Sequence, residues 1–488
     1  MVRIFSHYIS TRLMLLIVLE AVVLIVAMRL GLWVHGLSAD PAVGVVDASV
    51  PLPAAAFGVG MVMVMKSLGL YQPSVLRDTH SVLTRLAAAV ILGLAIAALL
   101  MHLVPSLYLG VDGLAVAVAA ALLGSGLARF ALFRCADLVP FKPHVLVLGT
   151  AAGAEKLAEL AQRYRNHVLV GYIDVESSAD RRLPLPRIRP ASGESLLSLV
   201  DKYGVDQIVI AVKDRRGGGL PVRDLLDCRL KGVGVTELST FFEREHRLLS
   251  LEALNPSWMV FGEGFRQGLA RSMVKRLFDL VVSTLLLLAA LPVMLVTALS
   301  IFWESGLPLL YRQERVGQGG RSFTIYKFRS MKTSAESDGK PRWAGANDDR
   351  TTRVGRIIRK LRIDELPQVF NVLRGEMSFV GPRPERPYFV GELAQKIPYY
   401  ALRHSVKPGI TGWAQVRYPY GASVEDAIEK LQYDLYYVKN NTLFLDLVIL
   451  MNTVEVVLWG GGSGASAPSR ESGPDTPAPL TPASLDPK

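Results

Sequence analysis

Arg362-Ile363-Asp364-Glu365-Leu366-Pro367-Gln368 is the stretch on which the reading of this chain turns. Its two adjacent carboxylates follow a basic run of Arg350, Arg353, Arg356, Arg359, Lys360 and Arg362. Behind them Leu366, Val369, Phe370, Val372 and Leu373 recur at helical spacing, and Gly375 closes the pattern. The order predicts Asp364 as N-cap, Glu365 as the first helical residue, and Pro367 in the first turn, where its missing N–H costs little. Gly375 is the expected C-terminal stop. A helix start beside clustered arginines suits a phosphate, and the same cations and dipole are expected to keep a neighbouring carboxylate ionised. A carboxylate so held is a candidate nucleophile. The plain alternative is an Asp cap with a solvated Glu beside it, and the rest of the chain decides between them.

At 488 residues the chain is too long for one ordinary domain, and about three are expected. Half of its residues are hydrophobic and its mean hydropathy is +0.31, high for a soluble protein. A net charge of +11 and a pI near 9.5 suit a negatively charged partner: anionic lipid, nucleic acid or a phosphorylated substrate. Cys135 and Cys228 are far apart, so neither a disulfide framework nor a zinc site is indicated. The first apolar run is too long for a cleavable signal peptide and lacks a cleavage site.

Four apolar stretches open the chain, at 13–34 (interrupted by Glu20 and Arg29), 50–70, 82–104 and 107–130. Each approaches or exceeds the ~20 residues that a bilayer-crossing helix needs. Arg3 and Arg12 precede the first; Lys66, Arg77 and Arg85 surround the second loop; Arg129, Arg134 and Lys142 follow the fourth. The first and third loops hold Asp40, Asp47 and Asp112 and no Lys or Arg. The positive-inside rule then places both ends of a four-helix transmembrane region, 1–135, in the cytoplasm.

From His144 the pattern alternates strand and helix: strands at 145–149, 169–173 and 207–212, helices at 152–163, 192–203 and 221–231. This predicts a Rossmann-like α/β domain over 140–240, with a parallel sheet covered by helices. The turn Gly149-Thr150-Ala151-Ala152-Gly153 lacks the full dinucleotide-binding glycine spacing, although Asp174 lies where a ribose-binding acid can sit. A scaffold or regulatory role is the expectation for this domain, because fold alone carries no function. Residues 241–270 read as a linker of mixed polarity.

Arg271, Lys275 and Arg276 then precede an apolar run, Leu277 to Trp303, that contains Pro292; Arg312 and Arg315 follow it. A simple fifth crossing would carry Asp364 and Glu365 to the far side of the membrane. A helix broken at Pro292, entering and leaving by one face at about 272–304, keeps both basic flanks cytoplasmic. Residues 443–459 are apolar but carry Asp446, Asn452 and Glu455, the pattern of an amphipathic helix lying on protein or membrane. The composition of 461–488 cannot form a core and predicts a disordered tail.

Within 271–460, Phe323-Thr324-Ile325-Tyr326-Lys327-Phe328-Arg329 alternates like a strand and is expected to bring Lys327 and Arg329 to one face. Phosphoryl chemistry needs such cations against its spread negative charge. Val380-Gly381-Pro382-Arg383-Pro384-Glu385 is a stiff loop presenting Arg383 in one direction. Arg403, Lys407-Pro408-Gly409 and Thr411-Gly412-Trp413-Ala414-Gln415 add a basic, turn-rich patch. No nucleic-acid-binding motif is visible, so the basic charge is not read as a nucleic-acid surface.

Residues from about 272 to 460 resemble the bacterial sugar transferases, also called polyprenyl-phosphate hexose-1-phosphate transferases or monotopic phosphoglycosyl transferases. The resemblance rests on Lys275-Arg276 with Asp279, Arg312-Gln313-Glu314-Arg315-Val316-Gly317 and Lys327-Phe328-Arg329-Ser330-Met331. It continues through Asp349-Arg350, Arg353, Gly355, Arg359, Asp364-Glu365-Leu366-Pro367-Gln368, Asn371, Gly375 and Met377-Ser378. Gly381-Pro382-Arg383-Pro384-Glu385 and Pro408-Gly409-Ile410-Thr411-Gly412-Trp413 complete it. Four spans and an α/β domain ahead of this segment are similar to the long members of the family. Tyr418-Pro419-Tyr420-Gly421-Ala422-Ser423 and Lys430-Leu431-Gln432-Tyr433-Asp434-Leu435-Tyr436-Tyr437 resemble the exopolysaccharide-associated enzymes.

The resemblance implies a multi-pass protein of the bacterial inner membrane: a helical bundle, an α/β domain, and a mixed, mainly helical catalytic domain on the cytoplasmic face with a re-entrant helix. It implies Asp364 as the nucleophile toward a UDP-sugar, with release of UMP, and undecaprenyl phosphate as the acceptor that then takes the sugar phosphate. Asp364 and Glu365 would hold Mg²⁺, which suits a diphosphate substrate. Lys327, Arg329, Arg353, Arg359, Arg383 and Arg403 are the candidate phosphate and nucleotide contacts, and Lys275, Arg276 and Pro292 mark the membrane hairpin. The chain departs from some relatives in having Leu291-Pro292 in place of Ser-Pro. Homo-oligomerisation and the identity of the hexose are left open. The competing readings are a membrane-anchored nucleotide-sugar oxidoreductase and a non-enzymatic membrane scaffold or regulator.

Overall fold

The computed structural model describes residues 2–38, 51–72, 75, 78–103, 109–136, 142–150, 153–155, 157–158, 167–174, 185–190, 194–212, 220–251, 254, 264–265, 268–332, 350–418, 421 and 423–459. The loop acids Asp40 and Asp47, most of the helix expected at 152–163, and the tail 461–488 lie outside them.

A short hairpin, β1 (Val2–Ile4) and β2 (His7–Ile9), precedes four apolar helices: α1 (Thr11–Ser38), α2 (Pro51–Ser67), α3 (Thr79–Leu103) and α4 (Gly110–Ala136). Among the described residues four helices are long and apolar enough to cross a membrane, but they are not the four expected. Leu13–Leu37, His80–Leu99 and Gly110–Leu132 qualify; the fourth is Leu269–Ser305. Helix α2 has 17 residues, about 25 Å at 1.5 Å per residue, against a hydrocarbon core of about 30 Å. Glu20, which interrupts the first apolar stretch, is fully buried and accepts a 2.6 Å bond from Arg129 Nε, joining α1 to α4. A charge among apolar helices persists where such a partner neutralises it.

The α/β layer has four parallel strands in the order β4-β3-β5-β6: β3 (His144–Gly149), β4 (Val168–Asp174), β5 (Gln207–Ala211) and β6 (Gly234–Glu237). Helices α5 (Leu196–Tyr203) and α6 (Val222–Leu230) bury Leu199, Val200, Leu225 and Cys228 against Leu146, Leu148 and Ile208. Gly149, at φ 155°, passes so close to the backbone of Ala211 that a Cβ would not fit. Asp174, the candidate ribose acid, is buried and paired with Arg187 at 3.1 Å. Both residues therefore serve the sheet.

Helix α7 (Leu238–His246) enters the C-terminal domain. Phe242, Leu248, Leu249 and Leu254 share one core with Trp413, Leu431, Tyr436, Tyr437, Leu445 and Ile449. Glu243 accepts from Lys439 Nζ at 2.7 Å and Asn440 Nδ2 at 2.9 Å. Phe242, Leu248, Leu249 and Leu254, within the stretch 241–270 expected as a linker, are thus core residues. The polar residues of that stretch hid this, because their partners lie almost 200 positions away in the sequence.

Helix α8 (Leu269–Ser305) follows as one element of 37 residues with Pro292 inside it. The expected division into two helices at Pro292 is not seen; the proline removes one N–H donor without ending the helix. Then come the antiparallel pair β7 (Leu310–Val316) and β8 (Ser322–Phe328), α9 (Arg353–Lys360), a 3-10 turn (Ile363–Gln368) and α10 (Val369–Arg374). β9 (Ser378–Val380) pairs in parallel with β10 (Gly409–Thr411) across α11 (Pro387–Lys396) and a second 3-10 turn (Tyr400–Ser405). Helices α12 (Trp413–Arg417), α13 (Val424–Asn440) and α14 (Leu443–Trp459) close the domain.

Polar contacts tie α8 to this one body near both of its ends. Lys275 Nζ meets Asp446 at 2.8 Å, and Asp279 accepts from Ser378 Oγ and the Phe379 N–H, both at 3.0 Å. Arg276 donates to the carbonyls of Val372 and Leu373, which end α10. At the other end Arg329 caps the carbonyls of Ser305 and Gly306, and Glu304 accepts the Arg353 N–H at 2.7 Å.

Helix α14 buries Asp446, Asn452 and Glu455 on the same face as Leu445 and Ile449, while Val454, Val457, Leu458 and Trp459 are exposed. Asn452 accepts from Lys66 and Glu455 pairs with Arg85 at 2.9 Å, which links the C-terminal domain to the helical bundle. The amphipathic pattern read from the sequence is therefore seated on protein by that buried face. The N-terminal hairpin adds a second link: buried His7 shares a 2.9 Å bond between Nδ1 and the Tyr436 hydroxyl, and Thr442 donates to the Phe5 carbonyl.

Candidate active site

The acidic pair sits where α9 ends and the chain reverses. Arg362 adopts φ 58° and ψ 16°, and the 3-10 turn begins after it. Asp364 is therefore not an N-cap; it lies inside the turn, and among the described residues no donor bonds its carboxylate. Helix α10 ends at Gly375 with φ 87°, as the sequence predicts.

Glu365 is buried and takes the cations. Its Oε1 accepts from Lys327 Nζ at 2.8 Å and from Arg383 Nη2 at 2.6 Å, and Arg362 Nη1 stands 3.9 Å from Oε2. Burial works against the charge on Glu365, but Arg383 and Lys327 together hold its carboxyl well below the usual range. Asp364 shows the opposite behaviour. Burial, then the negative charge of Glu365, push its pKa up to about 6 against the weaker pull of Lys327, Arg362 and Arg383. The cations act chiefly on Glu365 and less strongly on Asp364. Near neutral pH Asp364 is still mostly a carboxylate, uncommitted to any partner and more basic than an ordinary Asp.

Each cation is placed by a different element. Lys327 projects from β8, whose edge is held by Asn371: its Oδ1 accepts the Tyr326 N–H and its Nδ2 donates to the Thr324 carbonyl. Arg383 lies on the loop after β9, where Gly381 and Gly409 approach so closely that neither leaves room for a Cβ. Its Nη1 also donates to Gln415 at 3.1 Å. Arg359, on α9 and partly buried, has Nη1 on Thr351 Oγ1 at 3.1 Å.

The other expected contacts lie elsewhere. Arg329 does not share the face of Lys327: β8 ends at Phe328, and the Arg329 Nη2 is taken up by Ser305 and Gly306. Arg403 is buried with Nε and Nη2 on Asp434, Nη1 on Tyr400, and Nη2 also on the Arg383 carbonyl. It supports Arg383 and has no free donor edge for substrate. Arg353 is exposed at the start of α9, and Lys275 and Arg276 fasten α8. Gln415 and Asp434 belong to the site's support although nothing in their local sequence marks them.

Among the described residues no group of three or more His, Cys, Asp or Glu side chains gathers to hold a metal. The carboxylate of Asp364 and the second oxygen of Glu365 remain as donors. Mg²⁺ commonly takes one or two carboxylates and fills its shell with water and substrate phosphate, so this pair fits it.

Residues 270–460 match the family model described as bacterial sugar transferase. A UDP-N-acetylgalactosamine-undecaprenyl-phosphate N-acetylgalactosaminephosphotransferase of Aeromonas hydrophila is 47% identical over 192 residues, 39% of this chain and 45% of that protein. A UDP-glucose:undecaprenyl-phosphate glucose-1-phosphate transferase of Caulobacter vibrioides is 45% identical over 188 residues, 38% of this chain and 69% of that one. A sugar transferase of Bacillus subtilis, uncharacterized, is 43% identical over 194 residues, 39% of this chain and 90% of its own length. The chain thus spans less than half the length of the Aeromonas protein.

Proposed function

Because this chain belongs to the bacterial sugar transferase family, we propose that its C-terminal domain transfers a hexose 1-phosphate from a UDP-sugar to undecaprenyl phosphate and releases UMP. The observation that carries this reading is the division of labour in the acidic pair. Glu365 is neutralised by Lys327 and Arg383, while Asp364 keeps an uncommitted carboxylate beside them.

Chemically, an Asp364 oxygen attacks the β-phosphorus of the UDP-sugar. The bond from that phosphorus to the bridging oxygen breaks, and UMP leaves with the electron pair. The sugar phosphate is then an acyl phosphate on Asp364. A phosphate oxygen of undecaprenyl phosphate attacks the same phosphorus, Asp364 departs as carboxylate, and the product is undecaprenyl-diphospho-sugar. Arg359, Lys327 and Arg383 offset the charge that develops on the equatorial and leaving oxygens. Glu365 sets where Lys327 and Arg383 point. Mg²⁺, held by Asp364 and Glu365, would neutralise the diphosphate.

The lipid acceptor calls for a site at the bilayer surface. Polar contacts near both ends of α8 reach one domain, which a simple crossing would separate, and this supports a helix that bends at Pro292 without dividing and enters and leaves by one face. The basic flanks of the bundle support the cytoplasmic face of the inner membrane as the location of that domain. The sequence likeness to exopolysaccharide-associated enzymes makes this the first membrane step of such a polymer. The relatives named for glucose and for N-acetylgalactosamine make those two sugars the donors to try first. The oxidoreductase reading loses support because Asp174 and Gly149 are engaged within the sheet.

Full-length protein in detergent, given UDP-glucose or UDP-N-acetylgalactosamine with Mg²⁺ and undecaprenyl phosphate, tests the proposal. Wild type is expected to release UMP and Asp364→Asn to release none, with a sugar-phosphate adduct trapped on Asp364. Equal release by both proteins would remove Asp364 as nucleophile.

A further inference from the structure

Arg362 differs from the other cations around the acidic pair. Lys327 and Arg383 both make short bonds to Glu365, and Arg359 is held by Thr351. The Arg362 side chain is 57% exposed, and its nearest carboxylate contact, Nη1 to Glu365 Oε2, is 3.9 Å, beyond hydrogen-bond reach. Its backbone sits in the left-handed region at φ 58°, where an arginine is found only if its surroundings impose the conformation. They do so here from both sides. The Arg362 N–H bonds the Arg359 carbonyl, and the Glu365 N–H bonds the Arg362 carbonyl. A glycine would adopt this conformation without strain. An arginine held in it two residues before Asp364 places an unanchored, planar, five-donor group at the mouth of the site, a shape that matches phosphate oxygens.

We propose that Arg362 is a further substrate-contacting residue, whose guanidinium swings from its loose position beside Glu365 onto the phosphoryl group presented to Asp364. This rests on the transferase reading given above and adds to it a mobile phosphate clamp on the turn that carries the nucleophile. The phosphate it meets belongs either to the donor diphosphate or to the acceptor monophosphate, which share the same chemistry.

Four full-length proteins separate these outcomes: wild type, Arg362→Lys, Arg362→Gln and Arg362→Gly, the last relieving the backbone while removing the cation. KM for the UDP-sugar and for undecaprenyl phosphate are measured from UMP release. The Gln and Gly variants are expected to raise one KM about tenfold, with Lys recovering most of the loss. A rise in donor KM assigns the diphosphate, and a rise in acceptor KM assigns the lipid phosphate. Wild-type values for both in Arg362→Gln, or Lys no better than Gln, would overturn the proposal.

Binding of inorganic pyrophosphate, followed by calorimetry, is the activity-independent arm, with about tenfold weaker binding expected in Arg362→Gln. If wild type releases no UMP but its pyrophosphate affinity still exceeds that of the variant, the transferase reading fails and the clamp stands. Inactive wild type with equal pyrophosphate affinity would overturn both.

Discussion

Arg403 Nη2 donates to the main-chain carbonyl of Arg383 at 2.9 Å, and the same guanidinium pairs with buried Asp434 at 2.7 Å. The loop that delivers Arg383 to Glu365 is therefore braced by a buried ion pair.

Breaking this pair from one side leaves an uncompensated buried charge. Asp434→Asn or Arg403→Leu is expected to destabilise the protein by about 3–5 kcal/mol, measured by chemical unfolding in detergent. The double variant Arg403→Met with Asp434→Leu regains much of that stability because both charges are gone. Its UMP release stays low, since the Arg383 carbonyl has lost its donor. Full recovery of kcat in a stable double variant would show that the brace does not position Arg383.

Glu365→Gln tests the division of roles within the acidic pair. The amide is nearly isosteric but no longer neutralises Lys327 and Arg383, so kcat/KM is expected to fall about a hundredfold, together with a loss of stability because buried Lys327 keeps its charge without a carboxylate. Activity within a few-fold of wild type would mean that Glu365 does not organise those cations.

His7 gives the N-terminal hairpin a pH dependence. Burial foremost, then Arg247, Arg417 and Lys66, hold its pKa well below 6.5, and its hydrogen-bond partner is the Tyr436 hydroxyl. The undocked hairpin binds a proton that the docked one refuses, so docking is complete above pH 6.5 and weakens as pH falls below it. Hydrogen exchange over residues 2–9 is expected to quicken between pH 7.5 and 5.5, after correction for intrinsic rates, and His7→Phe should remove the difference. The same quickening in His7→Phe would assign the effect to another group.

Helix α14 joins the catalytic domain to the bundle through Arg85 and Glu455. Glu455→Ala leaves Arg85 without its carboxylate among apolar helices, and a loss of about 3 kcal/mol is expected. Retention of the parent unfolding curve would mean that the bundle and the domain are held together by other contacts.

The elements legible in the sequence were those with a local signal. Long apolar runs marked α1, α3, α4 and α8, a short apolar run marked β3, alternation marked β8, and Gly375 marked the end of α10. The acidic pair was legible because carboxylates, arginines and prolines cluster within some twenty residues of it. The partners of Arg329 and Arg403 were not legible, because strand alternation and basic charge tell which cations exist, not which carbonyl or carboxylate each one meets. The core role of Phe242, Leu248, Leu249 and Leu254 was not legible, because Glu243 shows no sign, near its own position, of Lys439 and Asn440.

Sequence by itself determined the order of the parts, their membrane character and the identity of the two acids, since periodicity and charge are properties of neighbouring residues. Only the tertiary structure decided which acid is neutralised and which is left free. That outcome depends on β8 and the loop after β9 bringing Lys327 and Arg383 to one oxygen of Glu365, with burial amplifying the charges there.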